Sequence, residues 1–321
     1  SVSSPLDQGL HRATDEEIAQ HGLGCLEVTL GSEGESLGSF RSPCGLAVDS
    51  RLLYIADTLN HRIQVFDKNS HVLMGSILIP GNSNVGQLQD PSGLCCTSER
   101  CLAVVEYGLD RVLHLRLASD SLEVVDVRVL CGSPLYGPFG VGFSQERLIV
   151  ADSCNHRCVA LTLTGQVLFE FGGRGSNPGQ FEYPECVSVF SDGHIGISDK
   201  DNHRIQIFDW RGTFKHFIPH GWTRDDAAWR AGSALEDGRL RGPMGMCTDK
   251  CDRLYVCDCG GNRVQVFTRQ GRWLWSSSNS SGESGEFRSP TALAMDRCGK
   301  VFIASDHCVQ IFSKEVAPQE H

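Results

Sequence analysis

The residues of this chain that could do chemistry recur in a fixed arrangement. An acid that closes an apolar run is followed five residues later by an arginine in Asp57–Arg62, Glu106–Arg111, Asp152–Arg157, Asp199–Arg204 and Asp258–Arg263. A carboxylate at that place can accept the backbone N–H groups of a tight turn and hold the guanidinium in a charge-assisted pair. Structural roles are therefore expected for Asp57, Asp152, Asp199 and Asp258. Histidines precede three of the arginines, at His61, His156 and His203. Metal-assisted hydrolysis or elimination would need such ligands to converge on one open site. Here they stand at the same place in separate copies of a repeat, a spacing that keeps them apart. Cys247, Cys251, Cys257 and Cys259 look like a zinc cluster, yet Cys257 and Cys259 lie two apart on one apolar run, and buried free thiols are the simpler reading. Gly172-Gly173-Arg174-Gly175 lacks the following helix that a phosphate-binding loop uses. The sequence thus carries no signature of catalysis, of a metal, of a cofactor or of a small-molecule substrate.

The elements that position these residues follow from self-comparison. A proline opening a short apolar strand recurs at Pro43, Pro91, Pro138, Pro184, Pro243 and Pro290, at spacings of 48, 47, 46, 59 and 47 residues. A second apolar run ends in the acid, a third begins at the arginine, and a fourth follows a polar turn in five of the six copies. The sixth copy runs out soon after Phe312, while CLEVTL at 25–30 has the length of the missing strand. Four strands per unit and a strand supplied from the other end of the chain predict an all-β, six-bladed β-propeller closed by its N-terminal strand. Closure removes the open sheet edges of a linear array. The expected organisation is a polar segment over 1–22, one propeller over 23–315 and a tail over 316–321. The long spacing marks an insertion at 219–242, where Asp225–Leu235 could form a short helix. Its Trp222 and Trp229 either pack on a neighbouring blade or anchor a partner.

The motifs ADTLNHRIQVFD (56–67), ADSCNHRCVAL (151–161) and SDKDNHRIQIFD (198–209) resemble NHL repeats, and the whole chain resembles the C-terminal propeller of tripartite-motif NHL proteins. The copies depart at Leu109-Asp110-Arg111, at Gly261-Asn262-Arg263 and in the sixth repeat, which lacks both the acid and the arginine. Those blades are expected to be irregular at that edge. The resemblance implies a longer parent with a RING, a B-box and a coiled coil, acting as a RING-type E3 ubiquitin ligase. No RING pattern of cysteine and histidine is present in this chain, so the chain alone is expected not to be an enzyme.

In a four-stranded blade the turns between second and third strands share one face, here called the top, with the connections between blades. Candidate binding residues on it are Arg41, Tyr107, Arg111, Tyr136, Phe139, His156, Arg157, Tyr183, Lys200, His203, Arg204, Arg241, Arg263 and Arg288. The arginines and histidines could serve the fold or a ligand. The residue after each repeated proline (Cys44, Ser92, Phe139, Glu185, Met244, Thr291) should point into the mouth of the central channel. Guanidinium and aromatic planes of this kind stack on unpaired bases or anchor a protein interface. The net charge is −10, but residues 1–35 hold seven acids against one arginine, leaving the propeller nearly balanced. Acids interleave with bases on the top face, which favours a protein partner or ubiquitination substrate; RNA is the close alternative, for post-transcriptional repression. No run approaches the ~20 apolar residues of a spanning helix, so no membrane role is expected. Fifteen cysteines without a framework spacing point to a reducing, cytoplasmic setting.

Overall fold

The computed structural model describes residues 22–81, 83, 85–130, 134–219, 236–277 and 287–313. Among the described residues twenty-four strands form six four-stranded sheets, each a blade. Blade one runs through Pro43–Val48, Leu52–Asp57, Arg62–Asp67 and Leu73–Ile77, every neighbour antiparallel. The next four blades repeat this order from Pro91, Pro138, Pro184 and Pro243. The sixth takes three strands from 290–313 and its outer strand from Cys25–Leu30, which pairs antiparallel with Cys308–Ser313.

A blade cannot bury its two apolar faces by itself, and the core accordingly lies between blades, in six clusters that each join two neighbours. Leu30 belongs to the cluster joining blades six and one, and Leu23 to the one joining five and six. The closing segment thus ties two seams at once. Lys68 and Asp296 cross the six–one seam as a buried ion pair at 2.9 Å, and Lys300 holds Glu27 of the closing strand at 2.8 Å.

Inner strands meet backbone to backbone around the channel. A Cβ on Gly45 would stand 1.9 Å from the Ser92 carbonyl oxygen, and one on Gly140 2.2 Å from that of Glu185. Glycine two residues after the proline is therefore a packing requirement in those blades. Among the described residues no helix is long and apolar enough to cross a membrane.

Candidate functional site

Each turn from second to third strand in blades one to five is a single 3-10 turn followed by a residue in the left-handed region: His61, Asp110, His156, His203 and Asn262, with φ of 50–56°. The acid that opens the turn is fully buried and works as a hub. Asp199 accepts the Glu182 N–H at 2.7 Å, the Arg204 Nε–H at 2.7 Å, the Gln206 Nε2–H at 3.0 Å and the Asn202 amide. Asp57 and Asp258 repeat this with Arg41, Arg62 and Gln64, and with Arg241, Arg263 and Gln265. Asp152 does so with Tyr136 and Arg157, and Glu106 takes the same place with Gln89 and Arg111. In blade six Ser305 accepts the Arg288 N–H at 2.9 Å instead.

The far ends of the arginines hold the chain that enters the blade from its neighbour. Arg62 donates to the carbonyls of Glu35, Ser36 and Ser39, Arg204 to those of Ser176, Asn177 and Gln180, and Arg263 to those of Glu236 and Arg239. Arg111 reaches Val85, and Arg157 reaches Pro134 and the Glu170 carboxylate. These geometries correct the sequence reading of the arginines. Arg204 is 0% exposed and Arg263 8%, so neither is a contact residue of the top face. Arg111 and Arg157 are largely committed to the scaffold as well.

The histidines are likewise drawn into the fold. Imidazole Nδ1 of His61, His156 and His203 accepts the backbone N–H of Asp90, Tyr183 and Gly242, the residue just before the next blade's proline. Asp110 and Asn262 do the same for Gly137 and Ser289 with a side-chain oxygen, and His307 for Ser42 at 3.5 Å. Six such stitches run round the ring. Each receiving residue has φ between 44 and 60°, a strained setting for serine, aspartate and tyrosine that the stitch helps to hold. Blades two and five are therefore regular at this edge, contrary to the expectation from their sequence, because aspartate and asparagine tolerate the left-handed region and carry the acceptor that the position needs. Burial and the nearby Arg241 charge lower His203 from the ordinary 6.5 to about 4, which keeps it in the accepting form.

Open on the top face are three tyrosines, set among exposed polar residues such as His61, Asp110, Asn155, Asp201 and Asn262. Tyr136 is 60% exposed, Tyr107 45% and Tyr183 38%. Tyr107 meets Phe139 edge-on at 6.2 Å, and Tyr183 meets His156 at 4.9 Å. Arg241 and Arg288 are exposed, and Arg41 is half-buried against Glu35 at 2.9 Å. Sequence reasoning missed Leu59 and Leu109, both exposed; the signal was their place one residue before the Asn60 and Asp110 positions of the turn. Trp222 and Trp229, and the proposed helix around them, lie outside the described residues.

Below this rim the inner strands enclose a channel of about 350 Å³ lined by Cys44, Phe139, Glu185, Met244 and Thr291, as the post-proline rule anticipates. Ser92 is the exception: it is fully buried and donates to the Phe139 carbonyl. Glu185 pairs with Lys200 at 3.0 Å. Burial raises Glu185, with Lys200 opposing; burial, the largest single effect, would lower Lys200, but the Glu185 charge and hydrogen bond together with the Asp201 charge hold Lys200 above its usual value. The four suspected zinc ligands are scattered: Cys257 is buried in a second strand, Cys251 is exposed, and Cys247 and Cys259 lie on an inner strand and a top turn. Among the described residues no group of three or more His, Cys, Asp or Glu side chains is placed to hold a metal.

The NHL repeat model matches residues 40–66 and 181–208, the segments that span the turn and hub of blades one and four. Two NHL repeats are thus matched in a chain folded as a six-bladed β-propeller. The chain is similar to Protein brain tumor of Drosophila melanogaster, 30% identical over 140 residues, which is 43% of this chain and 12% of that protein. It is also similar to human E3 ubiquitin-protein ligase TRIM32, 40% identical over 52 residues, 16% of this chain and 8% of that protein. The chain spans under a fifth of the length of the curated relatives it matches. The fold is shared with a streptogramin B lyase at TM-score 0.59 and 13% identity, covering 88% of this chain and 96% of the lyase. At that identity the likeness concerns the fold alone.

Proposed function

We propose that this NHL propeller is a non-catalytic recognition module whose top face docks a protein partner, in a reducing, cytoplasmic setting. In a longer ligase of the kind that the name of TRIM32 describes, the docked partner would be the ubiquitination substrate. The observation that carries this reading is the division of labour on the top face: loop arginines turn inward to hub acids and carbonyls, while Tyr107, Tyr136, Tyr183 and Leu109 turn outward. Few guanidinium groups are left for phosphates, and exposed tyrosines are strong anchors of protein interfaces.

Tyr136→Ala tests it. The ring is exposed, so its loss should leave the melting temperature unchanged and remove about 2 kcal/mol or more of partner binding. The competing RNA reading relies on Arg41, Arg241 and Arg288 as phosphate contacts and on the tyrosines as stacking planes. Selection from a randomised RNA pool at about 150 mM salt decides between the two. A defined motif whose binding is lost in Arg288→Glu would overturn the protein reading.

A further inference from the structure

The mouth of the channel holds a carboxylate that the scaffold uses only halfway. Glu185 follows the repeated proline of blade four and is 6% exposed. One oxygen accepts from Lys200, while the other, Oε2, is buried without a hydrogen-bond partner among the described residues. The structural hubs are built differently, with both oxygens of Asp199 or Asp57 engaged. A buried carboxylate oxygen left without a donor is costly, so the site calls for a donor from outside.

The surroundings define that donor. The charges felt at Glu185 are those of Lys200 and of Asp201, so that with Glu185 itself the mouth carries two negative charges against one positive. Lys200 is part exposed, its side chain at 37%, and can swing into solvent. Phe139 and Met244 provide apolar walls from the adjacent blades, and the exposed rings of Tyr107 and Tyr136 stand on the rim above. Net negative charge beneath aromatic planes suits a guanidinium, which forms a forked pair with a carboxylate and stacks on rings. We propose that the channel mouth is a specificity pocket for an arginine side chain presented by the docked protein, inserted between the tyrosine rim and the free oxygen of Glu185. This rests on the protein-binding reading of the top face.

The methionines make a native reporter. Of the four, Met244, Met246 and Met295 line the channel, whereas Met74 lies exposed on an outer strand. Methyl-labelled full-length protein is titrated with a short blocked peptide carrying one arginine among glycines and serines, with its glutamine counterpart, with spermidine and with single-stranded RNA. The peptide is raised to about 10 mM, above the millimolar affinity expected of one ion pair. The arginine peptide should shift the Met244 methyl and leave Met74 in place, the glutamine peptide should do neither, and Glu185→Gln should abolish the shift. Lys200→Met removes the resident cation and should tighten the arginine peptide several-fold, a gain that a merely structural ion pair would not give. A silent Met244, equal responses to arginine and glutamine, equal or tighter spermidine, or RNA acting at Met244 would each overturn the proposal. If Tyr136→Ala still abolishes partner binding while Met244 stays silent, the pocket fails and the docking face stands.

Discussion

The hub acids make a quantitative prediction at Asp199. The Arg204 guanidinium beside it is fully buried, with Nε 2.7 Å from Asp199 Oδ2 and its other nitrogens on three carbonyls. Asp199→Ala leaves that charge buried without a counterion, and breaking one partner out of such a pair costs about 3–5 kcal/mol. Set against a typical total of about 5–15 kcal/mol, the variant should lose a large part of its urea midpoint or fail to accumulate as folded protein. The double variant Asp199→Ala/Arg204→Met removes the orphaned charge, so it should be less destabilised than the two single costs together, by a coupling of about 1–3 kcal/mol. Blade six supports the expectation, since it lacks acid and arginine together and still closes its turn through Ser305. Urea denaturation of the wild type, both singles and the double gives all four terms. A cost below about 1 kcal/mol for Asp199→Ala, or strict additivity in the cycle, would refute the assignment of a structural hub.

Two further outcomes follow from the ring. Removing residues 1–31 takes away Leu23 and Leu30, 1% and 8% exposed, and should cost about 3–6 kcal/mol of burial; Leu26→Ala, on the exposed side of the same strand, should cost less than about 0.5 kcal/mol, and equal melting temperatures for the two would contradict the closed blade. The His203 stitch should make the fold acid-sensitive: its value is lowered from 6.5 to about 4, so the unfolded chain binds the extra proton between those limits and stability falls as pH drops from 6.5 towards 4. After discounting for the part-exposed ring, the loss is about 1–2 kcal/mol. His203→Asn, which copies Asn262 of blade five, should keep stability at pH 7 and lessen that loss; an unchanged pH profile in thermal melts would count against the stitch.

The architecture was legible because a propeller writes its period into the chain: prolines set the inner strands, apolar runs the blades, and CLEVTL the missing strand. The top face was harder to read for a physical reason. An arginine five residues after an acid looks the same whether its fork points outward or inward, and the direction is decided by carbonyls 24–28 residues upstream, as for Arg204 with Gln180 and Ser176. Letter matching also misjudged the stitches. The position needs a side-chain acceptor and tolerance of the left-handed region, and histidine, aspartate and asparagine all meet that need. Asp110 and Asn262 are thus equivalents of His203 rather than departures from it. The same logic isolates Glu185. Post-proline positions carry no common residue: Ser92 and Thr291 donate to inner-strand carbonyls of the next blade, whereas Phe139, Glu185 and Met244 stand at the channel wall. A buried carboxylate that no repeat requires, half satisfied by a lysine from a different loop, is therefore better accounted for by what enters the channel than by what holds the ring together.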